Sequence, residues 1–366
     1  MRRRWFTVVL AAVCAVPAGG RATVPEGAEW HEEYFTTPAG TRLHADVLRP
    51  AGLAEVNRTP VLIHVTPYNP HVGGGDTPPV PPNRGPASPT AGSLEAMGAF
   101  ERGYTVAIVD LPSFGASGGC WENFGPEEEA DVKAAVEWAA ARPWSNGRVG
   151  MFGMSASSLT TVMALASQPE GLAAAAFAAP PVDLYRTVFE NGVRRIAAHA
   201  LGPFYLALGH FPGGLYDGLD YHRAYLDNVG SGCADESLGL IREYEPNGAS
   251  SYWQARDRTT RAAATEVPIL LGQGFFDYNV PANQTLEFFR RYAGPKRLWV
   301  GQWAHDNPRG DAELMGRDGF LDELWRLMDR HLLGVDHPSE PHAVVVQEAD
   351  GRWRGEASWP PPDVQG

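Results

Sequence analysis

The sequence predicts an α/β fold: a mostly parallel sheet covered by helices on both faces, with a helical insertion and a short β-unit at the end. Three observations predict it. Short apolar runs of buried-strand type alternate with stretches of helical length, first over residues 60–178 and again over 267–333, as expected when helices cross over between parallel strands. Residues 183–264 break that alternation. At 148–168 a β-type run turns sharply at a serine and resumes as a helix-type run. With 366 residues, the chain is long enough for one large domain and an insertion.

The elements follow in order. Arg2-Arg3-Arg4 precede an apolar run from Trp5 to Val16, then small residues and Pro17, so residues 1–22 read as a secretory signal peptide cut after Ala18 or Ala22. The apolar run is too short to span a bilayer, and Val13 is too large for a lipoprotein signal before Cys14. The mature chain is therefore expected to be secreted, without a membrane span. Trp30–Thr36 and Leu43–Leu48 alternate around Pro38-Ala39-Gly40 as a hairpin. Pro60–Val65 is a short buried strand leading into Thr66-Pro67-Tyr68. Residues 67–92, rich in Pro and Gly, read as a long loop beside a site. A helix over Leu94–Arg102 and a buried strand over Thr105–Asp110 come next. Pro126–Ala141 is an amphipathic helix with Glu127, Glu128 and Glu129 where the helix dipole favours them.

Strand 148–152, helix 156–168 and strand 172–178 precede the aromatic-rich insertion at 183–264, which reads as a helical cap. Strand 267–272, helix 281–292, strand 297–301 and helix 319–333 complete a core made of residues 30–182 and 265–335. His342–Val346 and Trp353–Pro362 read as the start of a C-terminal β-unit over 336–366.

Charge and cysteine narrow the function. The chain carries 30 basic and 43 acidic residues, a net charge of −13; losing the four arginines of the leader brings this to −17. So acidic an exported protein is not a nucleic-acid binder. Cys120 and Cys233 remain after the leader is removed, and the sequence allows either a disulfide or two buried thiols. There is no CxxC pair and no clustered histidine set, so neither a metal nor a cofactor is expected.

The strand-turn-helix at Ser155 has the layout of a nucleophile elbow. Such a turn lifts the hydroxyl above the sheet and places free N–H groups of the helix behind it, ready for an oxyanion. Serine needs a base, usually a histidine oriented by a carboxylate, and on this fold the chain order is nucleophile, acid, histidine. Downstream, the strand at 267–272 ends in Gly272-Gln273-Gly274-Phe275-Phe276-Asp277, and the strand at 297–301 ends in Gly301-Gln302-Trp303-Ala304-His305. Asp277 and His305 thus follow adjacent strand ends in the required order, where open α/β sheets place their sites. Asp306, next to His305, is poorly placed to orient that ring. Gly115-Ala116-Ser117-Gly118-Gly119 matches the literal G-x-S-x-G string better than the elbow does, since Ser157 replaces the second glycine there. Ser117 is nevertheless set aside, because it follows a loop and is followed by more loop.

These residues resemble the bacterial cocaine-esterase and Xaa-Pro dipeptidyl-peptidase family of α/β-hydrolases. The similarity lies in Thr66-Pro67-Tyr68, in Trp144-Ser145-Asn146-Gly147-Arg148-Val149-Gly150-Met151 running into Gly153-Met154-Ser155, and in Ala179–Tyr185, Val267–Asp277 and Val300–His305, covering about 35–305 in order. The resemblance implies Ser155 as nucleophile, Asp277 as acid and His305 as base. It also implies Tyr68 as an oxyanion donor beside the backbone N–H of Ala156. The chain departs from the family at Ala156 and Ser158, where tyrosine and glycine are usual, and at Leu111-Pro112-Ser113-Phe114-Gly115, where an arginine-glycine motif is usual. The family also carries a C-terminal β-sandwich, of which residues 336–366 would be the first piece. Implied substrates are small esters or short peptides. For a substrate with a free amine, Glu190, Asp217 and Asp220 are the candidate carboxylates. The expected function is an exported serine hydrolase, with a dipeptidyl-peptidase and a non-catalytic binding protein as the alternatives.

Overall fold

The computed structural model describes residues 24–54, 56–68, 71, 98–210, 218–231, 233, 239, 241–305, 319–338 and 340–362. The signal-peptide reading, most of the 67–92 loop, Asp217 and Asp306 lie outside these residues. So does the first part of the helix expected over 94–102, whose described remainder forms turns.

A ten-stranded sheet carries the fold. Its strands are β1 (Ala28–Thr36), β2 (Arg42–Pro50), β3 (Thr59–Thr66), β4 (Thr105–Asp110), β5 (Ser145–Met154), β6 (Leu172–Ala178), β9 (Ile269–Gly274), β10 (Lys296–Gly301), β11 (Val344–Gln347) and β12 (Trp353–Glu356), in the spatial order β1-β2-β4-β3-β5-β6-β9-β10-β11-β12. From β4 through β11 every neighbour pairs in parallel, whereas β1-β2, β2-β4 and β11-β12 are antiparallel. Helices α1 (Pro126–Ala140) and α2 (Ala156–Ser167) follow β4 and β5. Helices α3 (Leu184–Val188), α4 (Ala198–Gly209), α5 (Leu219–Ser231), α6 (Ser251–Gln254) and α7 (Thr259–Ala263) lie between β6 and β9, with a two-stranded ribbon of β7 (Phe189–Glu190) and β8 (Val193–Arg194). Helix α8 (Ala282–Arg291) joins β9 to β10, and α9 (Phe320–Met328) runs into a π-helical turn at Asp329–Leu333.

The central strands are apolar throughout because both their faces are covered. Successive residues of β3 point opposite ways: Val61, Ile63 and Val65 belong to the core cluster that holds Leu159 and Val162 of α2 and Phe288 of α8, whereas Leu62 belongs to the one that holds Leu324, Trp325 and Met328 of α9. Two of the three glutamates at the start of α1 do more than complement a dipole. Glu128 reaches back to accept from the Gly125 N–H at 2.5 Å and from the Glu122 N–H, capping the start of the helix from the N3 position. Glu129 receives Arg258 Nε at 2.6 Å and Arg261. Arg258 is itself buried and also donates to the Phe124 and Gly125 carbonyls, binding the chain before α7 to the start of α1.

The last two strands extend the main sheet: β11 pairs in parallel with β10, Leu298 opposite Val344, and β12 returns antiparallel to β11. Val344-Val345-Val346 is buried on both sides, and the open edge of β10 is where such an apolar run finds cover. Strand β9 starts two residues later than expected and extends to Gly274.

Cys120, in the loop after β4, is disulfide-bonded to Cys233, beyond α5, with Cα atoms 5.6 Å apart and a sequence separation of 113. Helix α5 is also seated on a buried polar cluster. His44 Nδ1 lies 2.8 Å from Asp110 Oδ2, and its Nε2 lies 3.2 Å from Glu32 Oε1 and 3.9 Å from Asp46 Oδ1. His71 Nε2 lies 2.9 Å from the other Asp46 oxygen, and the Tyr221 ring of α5 stacks on His71. Burial pulls the His44 imidazolium down, but Asp110 and Glu32 outweigh it, and its pKa is pushed up from 6.5 to about 9.

Two tests follow from this frame. Cys120→Ser is expected to lower unfolding free energy by about 2–5 kcal/mol in denaturant titrations, since the bridge closes a long loop; an unchanged midpoint would refute the tie. The His44 pairing contributes fully below pH 6.5 and is lost as pH rises through 9. Wild-type stability should therefore fall between pH 6.5 and 9.5 by on the order of 2 kcal/mol more than that of His44→Gln. Parallel pH profiles for the two proteins would count against a charged His44.

Candidate active site

The site is assembled at the C-terminal ends of β5, β9 and β10. Ser155 ends the run from β5 with φ 57° and ψ −124°, a conformation a non-glycine residue holds only under constraint from its surroundings. The constraint is visible. The Ser155 N–H donates to the Ala178 carbonyl at the end of β6 at 3.1 Å, and α2 starts at the next residue. Gly153 has to be glycine, because a Cβ there would lie 2.2 Å from the Ser157 carbonyl oxygen. Ser157, at the position of the missing second glycine, is buried with its Oγ 2.8 Å from Thr66 Oγ1. Thr66 Oγ1 in turn accepts the Tyr68 N–H at 3.0 Å. The departure from G-x-S-x-G is thus accommodated by a partner on β3 that also holds the Tyr68 main chain.

Asp277 and His305 reach Ser155 from the ends of β9 and β10, on the far side of β6. Beyond β9 and β10 the chains stay paired, with Phe275 N–H donating to the Gly301 carbonyl at 2.7 Å and Phe276 N–H to the Trp303 carbonyl at 3.0 Å. Gly274 permits this, since a Cβ there would meet the Trp303 carbonyl at 2.2 Å. Asp277 Oδ1 accepts the N–H groups of Asn279 and Val280 at 2.9 and 2.8 Å, which fixes the carboxylate. His305 Nδ1 lies 3.0 and 2.9 Å from the two Asp277 oxygens, and His305 Nε2 lies 2.9 Å from Ser155 Oγ. With Asp277 ionised, Nδ1 carries the proton and donates to it, leaving Nε2 to accept from the serine hydroxyl.

Tyr68 completes the group. Its phenol oxygen faces the Ser155 side chain and the Ala156 N–H, and it lies 2.5 Å from the Tyr205 hydroxyl on α4. Burial raises the pKa of the Tyr68 phenol, and the contacts with Tyr205, Ser155 and Ala156 offset only part of this, so the phenol keeps its proton.

Other expectations fall elsewhere. Ser117 is fully buried; its Oγ donates to the Asp110 carbonyl at 2.7 Å and accepts the His44 N–H at 2.9 Å, so it has no role as a nucleophile. Asp220 opens α5, exposed and paired with Arg223 at 3.2 Å. Glu190 lies exposed in β7 beside the turn to β8. Among the described residues neither carboxylate contacts Ser155, His305 or Tyr68. Two contributors had not been singled out. Gln273, buried, donates through Nε2 to the Gly274 and Val280 carbonyls at 3.0 and 3.3 Å, with Asp277 Oδ2 at 3.4 Å; a polar residue ending an apolar strand was its signal. Tyr205 had none, being one aromatic among many in the insertion.

A profile of the X-Pro dipeptidyl-peptidase (S15) family matches residues 39–307, a span that holds every residue just described. The chain belongs to that family. It is 26% identical over 307 residues to the cocaine esterase of Rhodococcus sp. strain MB1 Bresler, covering 72% of this chain and 51% of that one. It is 24% identical over 366 residues to a Rhodopirellula baltica protein that carries the name of a Xaa-Pro dipeptidyl-peptidase, covering 85% of this chain and 57% of the other. This S15-family chain therefore spans about half the length of the curated relatives it matches. Among solved structures, a CocE/NonD family hydrolase from Staphylococcus aureus superposes with a TM-score of 0.67 at 17% identity, over 91% of this chain and 56% of that one. An α-amino acid ester hydrolase does so with 0.67 at 18%, over 94% and 61%. These likenesses establish the α/β-hydrolase fold.

The Ser157–Thr66–Tyr68 connection has a measurable consequence. Thr66→Val keeps the shape but removes the acceptor for the Tyr68 N–H, so it is expected to cost about 1–2 kcal/mol of stability. The Tyr68 amide should also exchange its hydrogen faster in the same variant, and unchanged exchange with the stability loss would show that Tyr68 is held by other means.

Proposed function

We propose that this chain is an exported serine hydrolase that cleaves ester or amide bonds of small acyl substrates through an acyl-enzyme. The observation that carries the reading is the unbroken bond series from Ser155 Oγ to His305 Nε2 and from His305 Nδ1 to Asp277. In the proposed reaction Ser155 Oγ attacks the substrate carbonyl carbon while His305 takes its proton. The carbonyl oxygen becomes an oxyanion between the Ala156 N–H and the Tyr68 phenol, donors set in place before charge develops. His305 then gives the proton to the leaving alcohol or amine, and the carbonyl reforms as the acyl-serine. A water molecule, deprotonated by the same histidine, releases the acid and restores Ser155. Asp277 holds the imidazole in the required tautomer and stabilises the imidazolium.

Residues 183–264 would serve as a cap over this chemistry, a reading supported by the Tyr205 contact with Tyr68. Export is supported by the Arg-rich start and apolar run of residues 2–16 and by the Cys120–Cys233 bond, which suits an oxidising compartment. A Xaa-Pro dipeptidyl-peptidase is the second reading, favoured by the name of the matching family. It requires a carboxylate to receive the substrate amine, and the positions of Glu190 and Asp220 do not support them in that role.

A fluorophosphonate probe is expected to label the folded protein and to leave Ser155→Ala unlabelled, with turnover of p-nitrophenyl acetate lost by a factor of about 10³ or more. Labelling that survives Ser155→Ala would move the nucleophile elsewhere. Absence of labelling in the wild type would favour a non-catalytic binding protein. Of p-nitrophenyl acetate and a Gly-Pro anilide, the ester should turn over faster; the opposite ranking would favour the peptidase.

A further inference from the structure

The hydrogen bond between Tyr68 and Tyr205 has a direction that the surroundings decide. Each phenol carries one proton. Tyr205 is buried, with its ring packed against Trp121, Phe124 and Phe204 at centroid distances of 5.7, 5.3 and 5.3 Å. Among the described residues, Tyr68 is the polar group that its hydroxyl meets. Tyr68 has more choice, since its oxygen also faces the Ser155 hydroxyl and the Ala156 N–H. If Tyr68 donated to Tyr205, the Tyr205 proton would be buried without an acceptor, at the full desolvation penalty. Tyr68 would then also have no proton for an oxyanion. The opposite direction satisfies both groups.

We propose that Tyr205 is a positioning residue for acyl transfer: its O–H donates to the Tyr68 oxygen and commits the single Tyr68 proton first to Ser155 Oγ and then to the substrate oxygen. The proposal rests on the hydrolase reading above. No proton changes owner in it. Both phenols stay neutral, and accepting a bond from Tyr205 polarises the Tyr68 O–H, so it becomes a stronger donor as charge builds on the carbonyl oxygen. The geometry also makes the insertion part of the reaction. Helix α4 has to be seated for the oxyanion donor to be aligned, although no residue of α4 touches the triad among the described contacts.

The test is a double-mutant cycle on p-nitrophenyl acetate in the full chain. Tyr205→Phe keeps the ring and its packing, and its kcat is expected to fall about 5- to 15-fold, the equivalent of one hydrogen bond, with KM within about twofold. Tyr68→Phe should lose about 100-fold, as for removal of one oxyanion donor. The double variant should be no slower than Tyr68→Phe alone, because Tyr205 acts through Tyr68. Losses that multiply, or a Tyr205→Phe effect confined to KM, would overturn the role. If Tyr205→Phe does not fold, 3-fluorotyrosine at 205 supplies a stronger donor of nearly the same size. Its kcat at pH 7 should equal or exceed wild type, and a fall would overturn the proposal. Wild-type protein that takes no fluorophosphonate label would remove the hydrolase reading and this proposal with it. Labelled wild type with multiplying losses would remove the Tyr205 role alone.

Discussion

The site depends on the backbone of Ser155 being held at positive φ. That conformation is unfavourable for serine by itself and persists because three elements enclose it: β6 accepts its N–H, α2 begins at the next residue, and Gly153 lets the first turn of α2 lie against the strand. From that one point the hydroxyl projects above the sheet. His305 can meet it from β10, and the Ala156 N–H is left unpaired within its helix beside it. If the turn relaxed toward ordinary helical or extended values, the bond from Oγ to His305 would be lost even though every residue remained.

The polar groups around the elbow are held mainly by backbone and neutral side chains. Asp277 is fixed by two main-chain N–H groups, and Gln273 bridges the carbonyls on either side of it. Thr66 and Ser157 join β3 to α2 through their hydroxyls. Such fixed dipoles orient the side chains of the site without adding a competing charge, which suits the oxyanion stabilisation proposed for it. The paired charges lie further out: His44 with Asp110 and Glu32 beneath α5, and Arg258 with Glu129 beneath α7. There they fasten the insertion to the core.

Much of this was legible in the chain because it is local. The alternation of apolar strands and helices marked β3 to β6 and β9 to α9 within a few residues, and the order serine, aspartate, histidine needed only the ends of those strands. Ser117 shows where a pattern misleads: its glycine-flanked string fits the motif, yet it serves to bond Asp110 and His44. The tail shows the converse. Val344-Val345-Val346 reads as a buried strand from its composition alone, but nothing in those residues says which strand lies beside it. Glu190 and Asp220 were plausible by charge and by lying in the insertion, whereas their exposure and the Asp220 pair with Arg223 are properties of the folded surface.

The sequence by itself determined the layers of the sheet, the turn at Ser155 and the residues able to act as base and acid, since strand periodicity, turn chemistry and residue type are properties of short segments. Only the tertiary structure decided what those residues touch. The pairing of Cys120 with Cys233, the seat of Ser157 against Thr66, the place of β11 beside β10 and the meeting of Tyr68 with Tyr205 each join segments far apart in the chain. Such contacts depend on how the sheet twists and where the insertion folds back. The physical reason is that packing and hydrogen-bond satisfaction are settled among all elements together, after each has formed by its own local rules.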